Sequence, residues 1–140
     1  MIKNKLLFVF VIEILIFLFS NNCSAQNAEQ GKMIFSNYCQ SCHQANGKGV
    51  PNMNPSLVKA PLIINNNPSK LIDYILKGSQ GQKQAVDGEY FPNDMPAQKD
   101  LLNDQQLADV IFYIQKQFNS TYNLKKIMPE MIQKRRKLIH

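Results

Sequence analysis

Residues 38–49 read YCQSCHQANGKG, and the feature that most restricts the fold is the C-x-x-C-H within them: Cys39, Cys42 and His43. Two thiols one helical turn apart, followed at once by an imidazole, fit few chemistries. A disulfide is the plain one, and it leaves His43 unexplained. A thioredoxin-like redox pair needs a strand–helix–strand setting. A zinc site needs two further ligands, and the chain's only other histidine is His140. The remaining assignment is covalent haem attachment, in which both thiols add to the porphyrin vinyl groups and the next residue ligates iron.

The chain around the motif is poor in regular structure. Three segments have helical periodicity. The first runs roughly from Ala28 to Cys42, with Gly31, Phe35, Tyr38 and Cys42 on one face. The second runs roughly from Ser69 to Lys77, following Pro68 with Ser69 as cap and ended by Gly78. Its apolar side is Leu71, Ile72, Ile75 and Leu76. The third, roughly Asp104 to Phe118, is the clearest. Asn103 and Gln106 form a capping box, and Leu107, Val110, Ile111, Ile114 and Phe118 form a stripe. Ala45–Asn67 and Ser79–Asp100 separate the helices; both are rich in Gly, Pro and Asn and hold no sustained alternation, so no strand beyond a short pair is expected. Three helices and two long loops make a thin core, which a large apolar group bonded to the chain would complete.

The N-terminus reads as an export leader. Lys3 and Lys5 precede an apolar run from Leu6 to Phe19 broken by Glu13, and Cys23-Ser24-Ala25 offers small residues for cleavage after Ala25. The run is short for a membrane span and carries an acid, which argues against a retained anchor. Lipidation at Cys23 is the alternative, although the Ser20-Asn21-Asn22 before it suits that poorly. Cleavage leaves Cys39 and Cys42 as the mature cysteines. The expected organisation is a leader over 1–25, a domain over 26–122 and a basic tail over 123–140.

Charge supports that division. The net charge is +6, yet residues 26–122 hold eight lysines against eight acids, while from Asn123 onward six Lys/Arg face Glu130 alone. The basic character belongs to the tail. No basic helix with interleaved aromatics lies in the body, so nucleic acid is not an expected partner. The tail is expected to be a solvated extension, with a short basic helix from Pro129, docking on an acidic partner or an anionic membrane, as the alternative.

A haem held by His43 needs a second axial ligand. Met33 shares the helix of the attachment site, Met53 lies ten residues past His43, and Met128 and Met131 belong to the tail. Met95, in FPNDMPAQ beside Pro96, sits in a loop long enough to wrap the far edge. A vacant sixth position, open to small ligands, is the alternative. Methionine ligation favours ferrous iron and suits one-electron transfer.

From about Ala28 to Phe118 the sequence resembles the class I monohaem cytochromes c. The residues that carry the resemblance are GKMIFSNYCQSCH, GVPNMNPSL, MPA and LNDQQLADVIFYIQ. GKGVPNMNPSL is most similar to the small cytochromes c and cytochrome domains that serve quinoprotein and alcohol dehydrogenases. The resemblance implies an all-α cytochrome c fold wrapped around one covalently attached haem c. It implies thioether bonds at Cys39 and Cys42, and axial ligation by His43 and Met95. It also implies a hydrogen bond from the His43 ring to the Pro55 carbonyl, and Leu57 packed on the haem. Gly31 is expected at a close helix crossing, with Phe35 and Tyr113 in contact there. The function expected is an exported, periplasmic carrier of single electrons, free or membrane-tethered, and not an enzyme. Its partners would be redox proteins, such as a quinoprotein dehydrogenase or a terminal oxidase. The alternatives are a subunit of a dehydrogenase or oxidase complex, and a peroxidase-like haem enzyme with an open site. The tail lies outside the resemblance.

Overall fold

The computed structural model describes residues 26–79, 85–86 and 89–139. Residues 1–25, the expected leader with Cys23, and His140 lie outside these residues. The described chain is all-α but for one two-residue hairpin. Helix α1 spans Ala28–Tyr38, α2 Gln40–His43, α3 Pro61–Ile64, α4 Pro68–Lys77, α5 Asp104–Phe118 and α6 Pro129–Arg136. Strands β1 (Ala85–Val86) and β2 (Glu89–Tyr90) pair antiparallel, Ala85 opposite Tyr90. None of the described helices is long and apolar enough to cross a membrane.

Helix α1 packs against α5, and this crossing organises the core. Gly31 lies where a Cβ would stand 2.1 Å from the Asp109 carbonyl oxygen, so only a residue without a side chain lets the two backbones approach. Phe35, 2% exposed, fills the next turn. Its ring lies 5.5 Å from that of Tyr113 and 5.4 Å from that of Phe118, both tilted, as aromatic quadrupoles prefer. Asp109 is buried and accepts the Asn27 N–H at 2.8 Å, tying the start of α1 to α5.

Capping chemistry sets the helix limits. Asn27 accepts from the N–H groups of Glu29 and Gln30. For α5 the capping box is complete: Asn103 accepts from Gln106 N–H while the Gln106 side chain accepts from Asn103 N–H. The cap of α4 is Asn67 rather than Ser69. Pro68 lacks the N–H that a first-turn residue cannot use, so it fits the first helical position, and Asn67 Oδ1 accepts from Lys70 N–H. The expected first helix is split at Cys39, after which α2 supplies one further turn. Tyr38 is 44% exposed, and Ile34 takes its place in the core. Tyr38, in the last turn on the same helix face, borders the cavity described below.

The largest difference from expectation is the C-terminal segment, which is not a solvated extension. A helix does begin at Pro129, but it folds back on its own domain and packs against α4 and α5. Ile127 and Ile132 are 1% and 0% exposed. The six basic residues concealed these two apolar anchors. The acids that receive Arg135 and Arg136 lie on other helices, at Asp73 and Asp104, beyond any local charge pattern.

Candidate functional site

A cavity of about 530 Å3 opens between α2, α4, α5 and the two long loops. It falls in the range of small-molecule and cofactor sites. Its walls are mainly apolar, with Leu57, Leu71, Ile75, Leu107, Val110 and Ile111 among them. Cys39, Cys42, His43, Pro55 and Met95 line it too, so all the residues singled out from the sequence as site residues border one space.

Helix α2 presents the first three. Cys39 ends α1 with its N–H donating to Phe35 O, and its own carbonyl accepts from Cys42 and His43. That single turn brings both thiols and the imidazole to one side of the cavity. Both cysteines are free thiols. Burial, and then the charge of Cys42, push the Cys39 thiol up to about 11.

The loop after α2 doubles back tightly. Gly49 donates its N–H to His43 O at 2.9 Å, with φ +68 and the Asn54 carbonyl oxygen 2.2 Å from where a Cβ would be. Positive φ and this close approach both require glycine. Val50 bridges to Asn54, and Leu57 N–H returns to Gly47 O at 2.7 Å. The hairpin-like return puts the Pro55 carbonyl oxygen 3.0 Å from His43 Nδ1. A carbonyl can only accept, so Nδ1 carries the proton and Nε2 keeps its lone pair for a metal. Burial lowers the His43 pKa, opposed by the bond to Pro55, so the ring stays neutral further into acid than a free imidazole.

Asn119, absent from the expected site, holds this wall in place. It is 1% exposed; its Oδ1 accepts Lys59 N–H at 2.8 Å, and its Nδ2 donates to Leu57 O at 3.0 Å. An asparagine just past a helix reads from sequence as an ordinary end. Its long-range role rests on partners 60 and 62 residues away.

Met95 is clamped at its backbone. Gly78 ends α4 at φ +66, where a Cβ would stand 2.3 Å from Met95 O. Ser79 then donates its N–H to Met95 O and accepts Met95 N–H on Oγ, both at 2.9 Å. The Ser79 hydroxyl donates to Asp94 Oδ1 at 2.9 Å. Farther along, Gln98 and Lys99 donate their N–H groups to Ile75 O and Leu76 O. Tyr74, which also lines the cavity, has its pKa raised by burial and then by the Asp94 carboxylate.

The cavity suits a flat, largely apolar group: two thiols and an imidazole nitrogen at one side, a thioether supplied by another loop, and aliphatic walls. Among the described residues, no three or more His, Cys, Asp or Glu side chains cluster to hold a bare metal ion.

A sequence profile described as Cytochrome c matches residues 28–118. Among curated proteins, the cytochrome c subunit of alcohol dehydrogenase (quinone) from Gluconobacter oxydans (strain 621H) is 30% identical over 86 residues, 61% of this chain and 18% of that protein. The subunits of the same description from Gluconacetobacter polyoxogenes and Komagataeibacter europaeus are each 33% identical over 81 residues, 54% of this chain and 16% of theirs. The chain thus spans less than a fifth of the length of these relatives. The family match covers the helices and loops that form the cavity, and the chain belongs to the cytochrome c family, whose domain implies covalently bound haem c and electron transfer.

Proposed function

We propose that the chain carries single electrons between redox proteins outside the cytoplasm, using one haem c joined to Cys39 and Cys42 with His43 and Met95 as axial ligands. The observation that carries this reading is the convergence of these four side chains on one apolar cavity, with the far nitrogen of His43 tied to Pro55 O. The bound group supplies reversible one-electron chemistry at iron. The chain's own residues do the rest. Pro55 fixes the imidazole plane and keeps the proton on Nδ1. Leu57 and the aliphatic residues of α4 and α5 exclude water. Ser79 and Gly78 hold the Met95 backbone, so its thioether would be kept available as a ligand.

The relatives' description as cytochrome c subunits of a quinone alcohol dehydrogenase supports a quinoprotein dehydrogenase as electron donor. A terminal oxidase is the acceptor class proposed. The leader pattern supports export, either free or tethered. Arg135 and Arg136 are engaged within the fold, so any contact of the basic segment with an acidic partner or membrane rests on Lys125, Lys126, Lys134 and Lys137. The test is Met95→Ala in haem-loaded protein. Haem should stay attached, and the iron should bind added imidazole or cyanide that wild type resists. If the variant and wild type bind these ligands equally, Met95 does not hold the sixth position.

A further inference from the structure

Residues 119–139 lie beyond the family match, yet they are built into the domain. Asn66 donates its side-chain amide to Asn123 O and accepts Lys125 N–H, and Gln26 donates to Ile127 O. Helix α6 is then seated by Ile132. At its end two consecutive arginines diverge. Arg135 grips the Asp73 carboxylate of α4 through Nε at 2.7 Å and through Nη2. Arg136 reaches Asp104 Oδ1 through Nε and Leu102 O through Nη2, both at 2.8 Å, and Lys99 O through Nη1.

Those targets are the two arms between which Met95 is held. Helix α4 continues into Gly78 and Ser79, which clamp the Met95 backbone from one side. The stretch from Lys99 to Asp104 is where the Met95 loop rejoins α5. Lys99 itself donates to Leu76 O, so the two arms already touch near the loop's base. Arg136 fixes the returning arm by three acceptors, one of them charged, and Arg135 fixes the outgoing arm by a two-pronged pair. A planar guanidinium fork suits this work better than an ammonium does.

We infer that the C-terminal segment is a strap that positions Met95 from outside the cavity, with Arg136 its principal positioning residue and Arg135 its second anchor. The inference rests on the reading that Met95 is the sixth ligand. It predicts that loosening the strap frees the Met95 loop before it unfolds the domain, since Arg136 holds α5 only at its first residue, Asp104, and neither arginine bonds the Gly31–Asp109 crossing.

The experiment uses the haem-loaded full chain as wild type, Arg136→Gln, Arg136→Lys and the control Lys134→Gln, which changes an exposed residue of the same helix. Imidazole is titrated into the ferric proteins, and amide exchange is followed without added ligand. Arg136→Gln should bind imidazole about tenfold more tightly, the change that corresponds to about 1.4 kcal/mol. Its amides over 94–102 should exchange faster while those of α1 do not. Lys134→Gln should match wild type, and Arg136→Lys should fall between. Wild-type affinity and wild-type exchange in Arg136→Gln overturn the strap, as does a uniform acceleration that includes α1. If wild type itself binds imidazole as readily as Met95→Ala, the ligand assignment has failed. Exchange over 94–102 then decides separately whether Arg136 holds the loop.

Discussion

Replacing Asn119, itself 1% exposed, by alanine removes a side chain that serves two backbone groups of the Leu57–Lys59 stretch. Lys59 N–H loses its acceptor and Leu57 C=O its donor, both in partly buried bonds. Each buried group left unpaired costs about 1–3 kcal/mol, so a loss of about 3 kcal/mol is expected. The third contact, to Ile114 O at 3.4 Å, is long and adds little. Asn119→Asp sharpens the test. It keeps an acceptor for Lys59 N–H but turns a carboxylate toward the Leu57 carbonyl, so it should cost at least as much as alanine. The assay is urea unfolding of haem-loaded protein followed by circular dichroism. With a slope of about 1–3 kcal/mol per molar, the midpoint should fall by about 1–3 M at unchanged slope. A loss below about 1 kcal/mol in the alanine variant, or an aspartate variant as stable as wild type, would refute the argument that these bonds hold the wall.

Two further substitutions probe the frame and the Met95 side of the cavity. Gly31→Ala would put a Cβ 2.1 Å from Asp109 O and 2.8 Å from the Tyr113 Cβ, so α1 and α5 must separate; a loss of about 3 kcal/mol is expected in the same unfolding assay. Tyr74 has a pKa raised above its ordinary 10.0, so the folded state keeps a proton that the unfolded chain gives up. Stability should therefore fall as pH rises past about 10. Tyr74→Phe should remove that part of the fall, read by comparing midpoints of both proteins at pH 8 and 11. An identical drop in the two proteins would exclude Tyr74 as its source.

How much of this was legible beforehand differs by element. Helix α5 could be read in full because its stripe is unbroken and its capping box is local to Asn103 and Gln106. The cap of α4 was misplaced by two residues, and its start by one, because Ser69 and Asn67 are both good caps, and Pro68 decides between them only through its helical position. The short helix α3 was hidden in a Pro- and Asn-rich stretch, where Pro61 marks its first turn. Cys39, Cys42 and His43 were singled out by spacing, since their chemistry is contained in one turn, and Met95 by its place in a loop; the fold brings all four to one cavity. What the sequence could not display was support across distance. Asn119, Ser79 and the two arginines act on residues between 15 and 62 positions away. The tail misled for the same reason: its charges are adjacent in the chain, whereas their partners are adjacent only in the fold.

The central claim is a covalently bound haem held between His43 and Met95. It is tested most directly by the visible spectra of the full-length protein purified from a host that attaches haem. The account predicts sharp reduced bands that survive acid–acetone extraction, together with the weak sulfur-to-iron band at long wavelength in the oxidised protein. Attached haem without the sulfur band would contradict Met95 ligation. A colourless protein with Cys39 and Cys42 joined as a disulfide would contradict the account as a whole.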